Sequence, residues 1–445
     1  MLKKILCLLS LGVGLLSCNK NIEQQIAVPP KKFPSSTKDY KPVDDLPYIA
    51  WWQQFHDVEL NQLIEAGLNN NMDIHIAIGN LQQAQGELRQ IKLSWIPIVQ
   101  IFAGYSTNPA LGAPGAFYGV WPYYFLNIMK LYTQQKEATF NVQYRVAAIE
   151  GMRLALIGQV ASAYFTLIAQ VEQLRLLKQL DRDLKTLIKL GSGDIKIGLE
   201  NEIILAQLQT DERLIAAQIK PILHNIVSSE NAIRYLLNEN PGRIKNKNNF
   251  AKIDFSHFKP GSLPATVLNN RPDLKMAQYA LNASRAAINV AYSDFFPGLQ
   301  LDAFLGEVDL PSSNFAETTD AYVNWTLRPS SLGKIAARKG AYNTKIAEFN
   351  KTVRRILKEV DTDFSANKRM NEKFMAYIHA EEDYRRKYNL QKGLLKTGLI
   401  SYKELIQSKI YLDNLALSTN QVKLELAMSL VILYQDLAGG YASNK

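Results

Sequence analysis

The feature that most constrains this chain is a repeat separated by a long interval. LNNNMDIHIA begins at Leu68 and LNNRPDLKMA at Leu268, sharing Leu-Asn-Asn, then an Asp, then an Ala. The same offset relates Leu63 to Leu263, Leu81 to Leu281, Pro97 to Pro297 and Gln100 to Gln300. It continues through Leu190 and Leu390, Gly198-Leu199 and Gly398-Leu399, Leu205 and Leu405, Gln207 and Gln407, and Leu237 and Leu437. Solenoids repeat every few tens of residues. One large unit duplicated once is a different architecture, so the chain divides into halves at 51–262 and 263–437, followed by a tail at 438–445.

The first twenty residues, MLKKILCLLSLGVGLLSCNK, stand outside this scheme. Lys3 and Lys4 precede an apolar run from Ile5 to Leu16, too short to span as a stop-transfer helix. The run ends at Leu15-Leu16-Ser17-Cys18, which resembles a bacterial lipoprotein signal: residues 1–17 are expected to be removed and Cys18 lipidated. Cleavage also removes Cys7, leaving no disulfide and no cysteine-ligated metal. Asn19 lacks the acidic residue that such signals use for inner-membrane retention, so the resemblance implies outer-membrane lipid as the destination. Residues 18–50 hold Pro29, Pro30, Pro34, Pro42 and Pro47 among Lys, Ser and Asp, a composition that tethers rather than packs.

Each half then runs through the same events. Helical patterns at 56–70 and 73–95 stop at Pro97, whose copy is Pro297. Alternating strands follow: Val99, Ile101, Ala103 and Tyr105 in one half, Leu299, Leu301, Ala303 and Leu305 in the other. A second strand rich in Tyr and Trp is expected at 118–126 and at 320–328. Apolar residues spaced by three and four then run from about 128 to 190 and from about 333 to 392. Some 60 helical residues at 1.5 Å each make about 90 Å, which implies antiparallel coiled-coil hairpins. Glycine-punctuated breaks (Gly191, Gly193, Gly198; Gly393, Gly398) return the chain into a further helix. The uncharged run from Leu154 to Val171 is long enough to span a membrane. Its Gln159, Ser162, Thr166 and Gln170, and the charged residues of its copy, mark it instead as a buried bundle helix.

Four strands cannot close on themselves, and an open edge in lipid leaves backbone groups unsatisfied at several kcal/mol each. Strands of about ten residues, alternating and aromatic-rich, suit an outer-membrane barrel. Three chains of four strands would complete a shared 12-stranded barrel. The fold expected is therefore mainly α with a small β part, working as a homotrimer.

WWQQFHDVELNQLIEAGLNNNMDI, from Trp51, resembles the opening signature of the TolC-like outer-membrane efflux channels, through Trp52, Phe55, Leu60, Leu63, Ala66, Leu68, Asn71 and Asp73. LNNRPDL and the matching stretches at 198–207 and 398–407 resemble that family too. With the lipidated N-terminus, the nearest likeness is its lipoprotein branch, which serves resistance-nodulation-division (RND) pumps. The resemblance implies a passive exit duct for small molecules, a periplasmic adaptor and an inner-membrane RND-type pump as partners. It implies a cell outer-membrane location with most of the chain in the periplasm. The same family also offers protein secretion, and a different class is a lipid-anchored coiled-coil spacer without a pore, which would need no Tyr/Trp-rich strands.

Candidate sites follow from that likeness. Gly198, Leu199, Gly398 and Leu399 are the hairpin turns, where the resemblance places adaptor contact and the closed entrance. Glu404 is the candidate for an acidic entrance ring favouring cations. A Tyr, Arg and Asp clamp found in some members has Leu395, Ile400 and Ile204 in its places here, so Leu395 and Ile400 become candidates for an apolar gate.

Catalytic patterns fail on context. Ser331-x-x-Lys334, Ser365-x-Asn367 and Lys396-Thr397-Gly398 occur in the order of penicillin-binding proteins, yet the second and third lie within or at the end of the long helix, where Lys-Thr-Gly would belong on a strand. GLLKTG at 393 lacks the Lys-Ser/Thr of a phosphate loop and follows a helix. The five histidines show no metal spacing, so neither enzyme chemistry nor a cofactor is expected. The formal charge of +10 sits in helical clusters such as Arg354-Arg355 and Arg385-Arg386-Lys387. These read as solvated faces, not a nucleic-acid stripe.

Overall fold

A computed structural model describes residues 51–107, 115–199, 201–245, 250–255, 269–308 and 315–437. Cys18, the signal, the tether and the tail at 438–445 lie outside the described residues. After a 3₁₀ turn at Trp51–Phe55 come α1 (Val58–Asn70), α2 (Met72–Leu93), β1 (Ile98–Ser106), β2 (Gly115–Leu126), α3 (Ile128–Lys196) and α4 (Glu202–Leu236). The second half gives α5 (Pro272–Ser293), β3 (Gly298–Val308), β4 (Phe315–Asn324), α6 (Ser330–Lys396) and α7 (Tyr402–Asp436). The helices α2 and α5, and likewise α4 and α7, are offset by 200 residues at both ends, so the sequence repeat is a repeat of elements. Contacts divide the chain differently, into two compact units that each draw on both halves: one of Ile91–Glu137 with Ala280–Lys351, the other of the remaining helical segments.

In the helical unit the core gathers Leu60, Ile64, Ile157, Val160, Tyr164, Phe165, Phe255 and Leu430. Trp51 stacks on Tyr434 with ring centroids 5.6 Å apart and meets Phe55 edge-on. The entry to α1 is fixed by Asp57, whose carboxylate accepts from the backbone N–H groups of Glu59 and Leu60 and from the Tyr164 hydroxyl at 2.7 Å. The uncharged run after Leu154 is explained by this core: Ile157, Val160, Ala161, Tyr164 and Phe165 are fully buried by neighbouring helices.

The repeated LNN motif has a job in each half. Asn71 caps α2 by accepting from Asp73 and Ile74, and its amide donates to the Leu236 carbonyl at 2.9 Å, at the end of α4. Its counterpart Arg271 donates from Nη1 to the Asp436 carbonyl at 2.6 Å, at the end of α7. Asp273 holds the same guanidinium through two bonds of 3.0 and 2.9 Å. Each motif is a socket for the C-terminus of its own return helix, where a donor satisfies otherwise orphaned carbonyls.

The other unit carries a four-stranded antiparallel sheet in the order β1-β2-β3-β4. Residues directly opposite share a face. The register therefore puts Val99, Ile101, Val120, Leu299, Leu301, Leu305 and Val323 on one side. Gln100, Gln300, Asp302, Thr318 and Asp320 share the other with Phe102, Trp121 and Phe304. Gly119 pairs with Gly306 at the centre of the sheet. A Cβ on Gly306 would strike the Tyr118 carbonyl oxygen and the Gly119 Cα, while the Phe102 and Phe304 rings stack at 5.8 Å over that gap. Where the sheet meets its helices, Tyr124 donates to the Trp95 carbonyl and Trp325 to the Phe295 carbonyl, again one contact per half. Asp294 is bridged by Lys130 at 3.0 Å and Lys334 at 2.6 Å.

Some expected boundaries move. The helices before Pro97 and Pro297 already end at Leu93 and Ser293. The expected strand at 320–328 is instead Phe315–Asn324, because its partner β3 begins at Gly298 and Pro297 before it has no N–H to donate. The expected breaks at Gly191, Gly193 and Gly393 are corrected too: all three lie inside α3 and α6, which run on to Lys196 and Lys396.

Candidate functional site: the paired hairpin turns and the open sheet

Both turns are built alike. Gly198 and Gly398 each take φ +74°, a conformation that side chains with a Cβ rarely adopt. Leu199 N–H donates to the Asp194 carbonyl and Gly198 N–H to that of Ile195. Leu399 and Gly398 donate in the same pattern to Leu394 and Leu395. These are Schellman endings, with glycine placed where the chain must turn left-handed. Two residues on, Asn201 caps α4 and Ser401 caps α7. The turn leaves apolar side chains bare: Leu199 and Leu399 are 76% and 71% exposed, with Ile197 and Ile203 alongside.

The other candidates separate. Glu404 closes a capping box, accepting from Ser401 N–H at 3.1 Å while Ser401 Oγ accepts from Glu404 N–H. Its carboxylate is exposed but has a definite local task, which Ser-x-x-Glu in the sequence signals. Leu395 and Ile400 are half-buried and flank the second turn. A link the sequence did not reveal is Lys403 to Asp194 at 3.0 Å, joining the start of α7 to the last turn of α3. Further along, Lys409 meets Asp183 at 2.7 Å. No linear motif announces either pair, since the partners lie more than two hundred residues apart.

The catalytic decoys stay apart: Ser331, Ser365 and Lys396 mark the beginning, middle and end of the single helix α6. The basic clusters are engaged locally, Arg355 with Asp273 and Arg385 with Glu381. Among the described residues no group of three His, Cys, Asp or Glu side chains could hold a metal ion.

In the sheet, β1 and β4 each have one neighbour, so each presents a row of backbone donors and acceptors along an edge. Ile101, 81% exposed, and Val323, 67% exposed, sit on these edges on the apolar side.

An open sheet carried in a single chain with two duplicated helical hairpins is a fold that this chain shares with solved outer-membrane channels. The model of the outer membrane efflux protein family matches residues 263–439 of this chain. Over 417 residues it is 23% identical to the probable efflux pump outer membrane protein TtgC of Pseudomonas putida, covering 88% of this chain and 85% of that protein. It is also 23% identical over 389 residues to the putative multidrug resistance outer membrane protein MdtQ of Escherichia coli, covering 81% of each. The CmeC outer membrane channel of Campylobacter jejuni superposes with a TM-score of 0.79 at 19% identity, over 97% of this chain and 96% of that one.

Proposed function

We propose that three copies of this chain join β4 to the next β1, closing a 12-stranded barrel in the outer membrane, and range their hairpins into a periplasmic tunnel. The observation that carries this reading is the sheet itself: two bare edges and an apolar face satisfy nothing in isolation. Closure gives every edge group a partner, turns Val99, Ile101, Leu301 and Val323 to lipid, and turns Gln100, Asp302 and Asp320 to the lumen.

The assembly acts as a passive exit duct for small molecules expelled by an inner-membrane RND-type pump through a periplasmic adaptor. Efflux relatives of similar length support small-molecule cargo over protein secretion. A pore-free spacer leaves the sheet edges unexplained. The duct needs no reaction step, since the pump supplies the energy. The exposed leucines and isoleucines of the turns meet the adaptor, Leu395 and Ile400 close the entrance at rest, and Glu404 supplies its acidic ring. Lipid on Cys18 anchors the N-terminus beside the barrel.

Light scattering of detergent-extracted protein, combined with conductance in a planar bilayer, tests the reading. Three chains per particle with discrete ion-conducting steps are expected. A stable monomer that never conducts would overturn it.

A further inference from the structure

Beyond the turns, α3 and α7 meet through a group of charges that the exit-duct reading leaves without a role. Asp183 on α3 is almost wholly buried, its side chain 9% exposed, and Lys409 on α7 grips both of its oxygens at 2.7 and 2.9 Å. Asp413, one helical turn beyond Lys409, faces the same Asp183 carboxylate, close enough for a hydrogen bond to form between them when one holds a proton. Two carboxylates can share such a bond only while one keeps a proton. Oδ2 of Asp413 is buried without a donor, so no hydrogen bond supports its ionised form there and only the charges of Lys409 and Arg175 favour it.

The surroundings decide which of the two holds the proton. On α3, Gln179 donates to Asp183 at 2.9 Å, and Arg175 is tied to Glu172 by two bonds. From α6, Tyr388 faces the pair. Arg385, Glu381 and Glu382 line the far side of a cleft of about 490 Å³ that reaches Asp413. Lys423 of α7 also lines it, but is turned to the Ala251 carbonyl at 2.8 Å. Lys409 and Gln179 hold Asp183 below the usual carboxylate range against its burial. Burial, then Asp183 itself, push Asp413 up to about 7.

We infer that Asp183 and Asp413, with Lys409 between them, form a proton-dependent latch that binds α7 to α3. In the latched state Asp413 donates its proton to Asp183, and the Lys409 ammonium balances the single remaining charge. When Asp413 loses that proton to water in the cleft, two carboxylates face one ammonium and the contact loosens. Asp413 holds its proton more tightly latched than free, so its contribution to latching is fully present below its free pKa, about 4, and is lost as pH rises through about 7. Above that both forms are ionised and the dependence levels off. The same contact lies on the helices that lead to both turns, and its consequence for opening the entrance rests on the duct reading.

Hydrogen exchange of the full-length, detergent-extracted protein tests the latch without reference to conduction. Each unit of pKa difference is tenfold. Protection of backbone amides in 405–415, corrected for intrinsic exchange, is expected to fall by up to about 30-fold between pH 5.5 and 8 and then level. Asp413→Asn, which still donates to Asp183 but cannot ionise, should flatten the profile at high protection. Asp363→Asn, at a separate carboxylate pair, should leave it unchanged. A flat profile in the parent protein, or an undiminished slope in Asp413→Asn, would overturn the latch. A stable monomer that never conducts, alongside the expected exchange profile, would sink the duct and leave the latch standing.

Discussion

The two sockets built from the LNN motifs ought to differ in strength, and Arg271→Ala against Asn71→Ala measures the difference. Arg271 is 9% exposed at its side chain and is shared among Asp273, the Asp436 carbonyl and, at longer range, Asp436 Oδ1 and Glu359. Removing one partner of a buried charge group costs about 3–5 kcal/mol, because the charges left behind lose their compensation. These carboxylates are 22–31% exposed, so water recovers part of the loss and the lower end applies, about 3 kcal/mol. Asn71 offers a neutral cap and one carbonyl bond, worth about 1–2 kcal/mol. The Arg271 loss must also depend on pH. Asp363 nearby is pushed up to about 7, first by burial and then by its hydrogen bond with Asp436, while Arg271 pulls it down. Without the arginine it keeps its proton to higher pH still. At pH 5.5 that carboxyl is neutral in both proteins, whereas at pH 8 only the parent balances its charge, so the variant loses more at pH 8. Melting curves by circular dichroism at one scan rate, at both pH values, decide the matter. Equal losses for the two variants, or an Arg271→Ala loss that ignores pH, would refute the reasoning.

Four further outcomes are expected. Gly306→Ala places a Cβ against backbone atoms of β2 and should cost about 1–3 kcal/mol, read by light scattering as loss of the proposed trimer. Gly398→Ala forces a side chain into φ +74° and should cost about 1–2 kcal/mol, seen as faster exchange confined to the second turn. Glu404→Gln keeps an acceptor for the Ser401 N–H but removes the charge, so reversal potentials should shift away from cations with melting unchanged; Glu404→Ala should additionally lose about 1 kcal/mol of capping. Cys18→Ser should abolish labelling by a palmitate analogue.

Much of this fold is written in local pattern, and that part was legible. The 200-residue offset recovers α2 against α5 and α4 against α7, since helix periodicity and caps are short-range signals. Gly198 and Gly398 were readable because a left-handed turn leaves few alternatives to glycine. Gly191, Gly193 and Gly393 misled for the opposite reason: a helical glycine costs about 1 kcal/mol, and one buried position, Gly191, shows packing overriding that cost. The Arg271 socket, the Lys403–Asp194 bridge and the Phe102–Phe304 stack over Gly119 join residues far apart in the chain. No local pattern encodes them, and only the folded register brings them together.

The two sockets also make the halves unequal in kind. Asn71 cannot gain or lose a proton, so the hairpin it anchors answers neither acidity nor counterions through that contact. Arg271 anchors its twin amid Asp273, Glu359, Asp363 and Asp436, a seat whose charge balance follows the surroundings. Around the proposed ring of three chains, inert and responsive sectors would alternate, so a ring sixfold in outline would be threefold in temperament. A change of medium would then act on every second hairpin, while the intervening ones serve as fixed posts against which the others move.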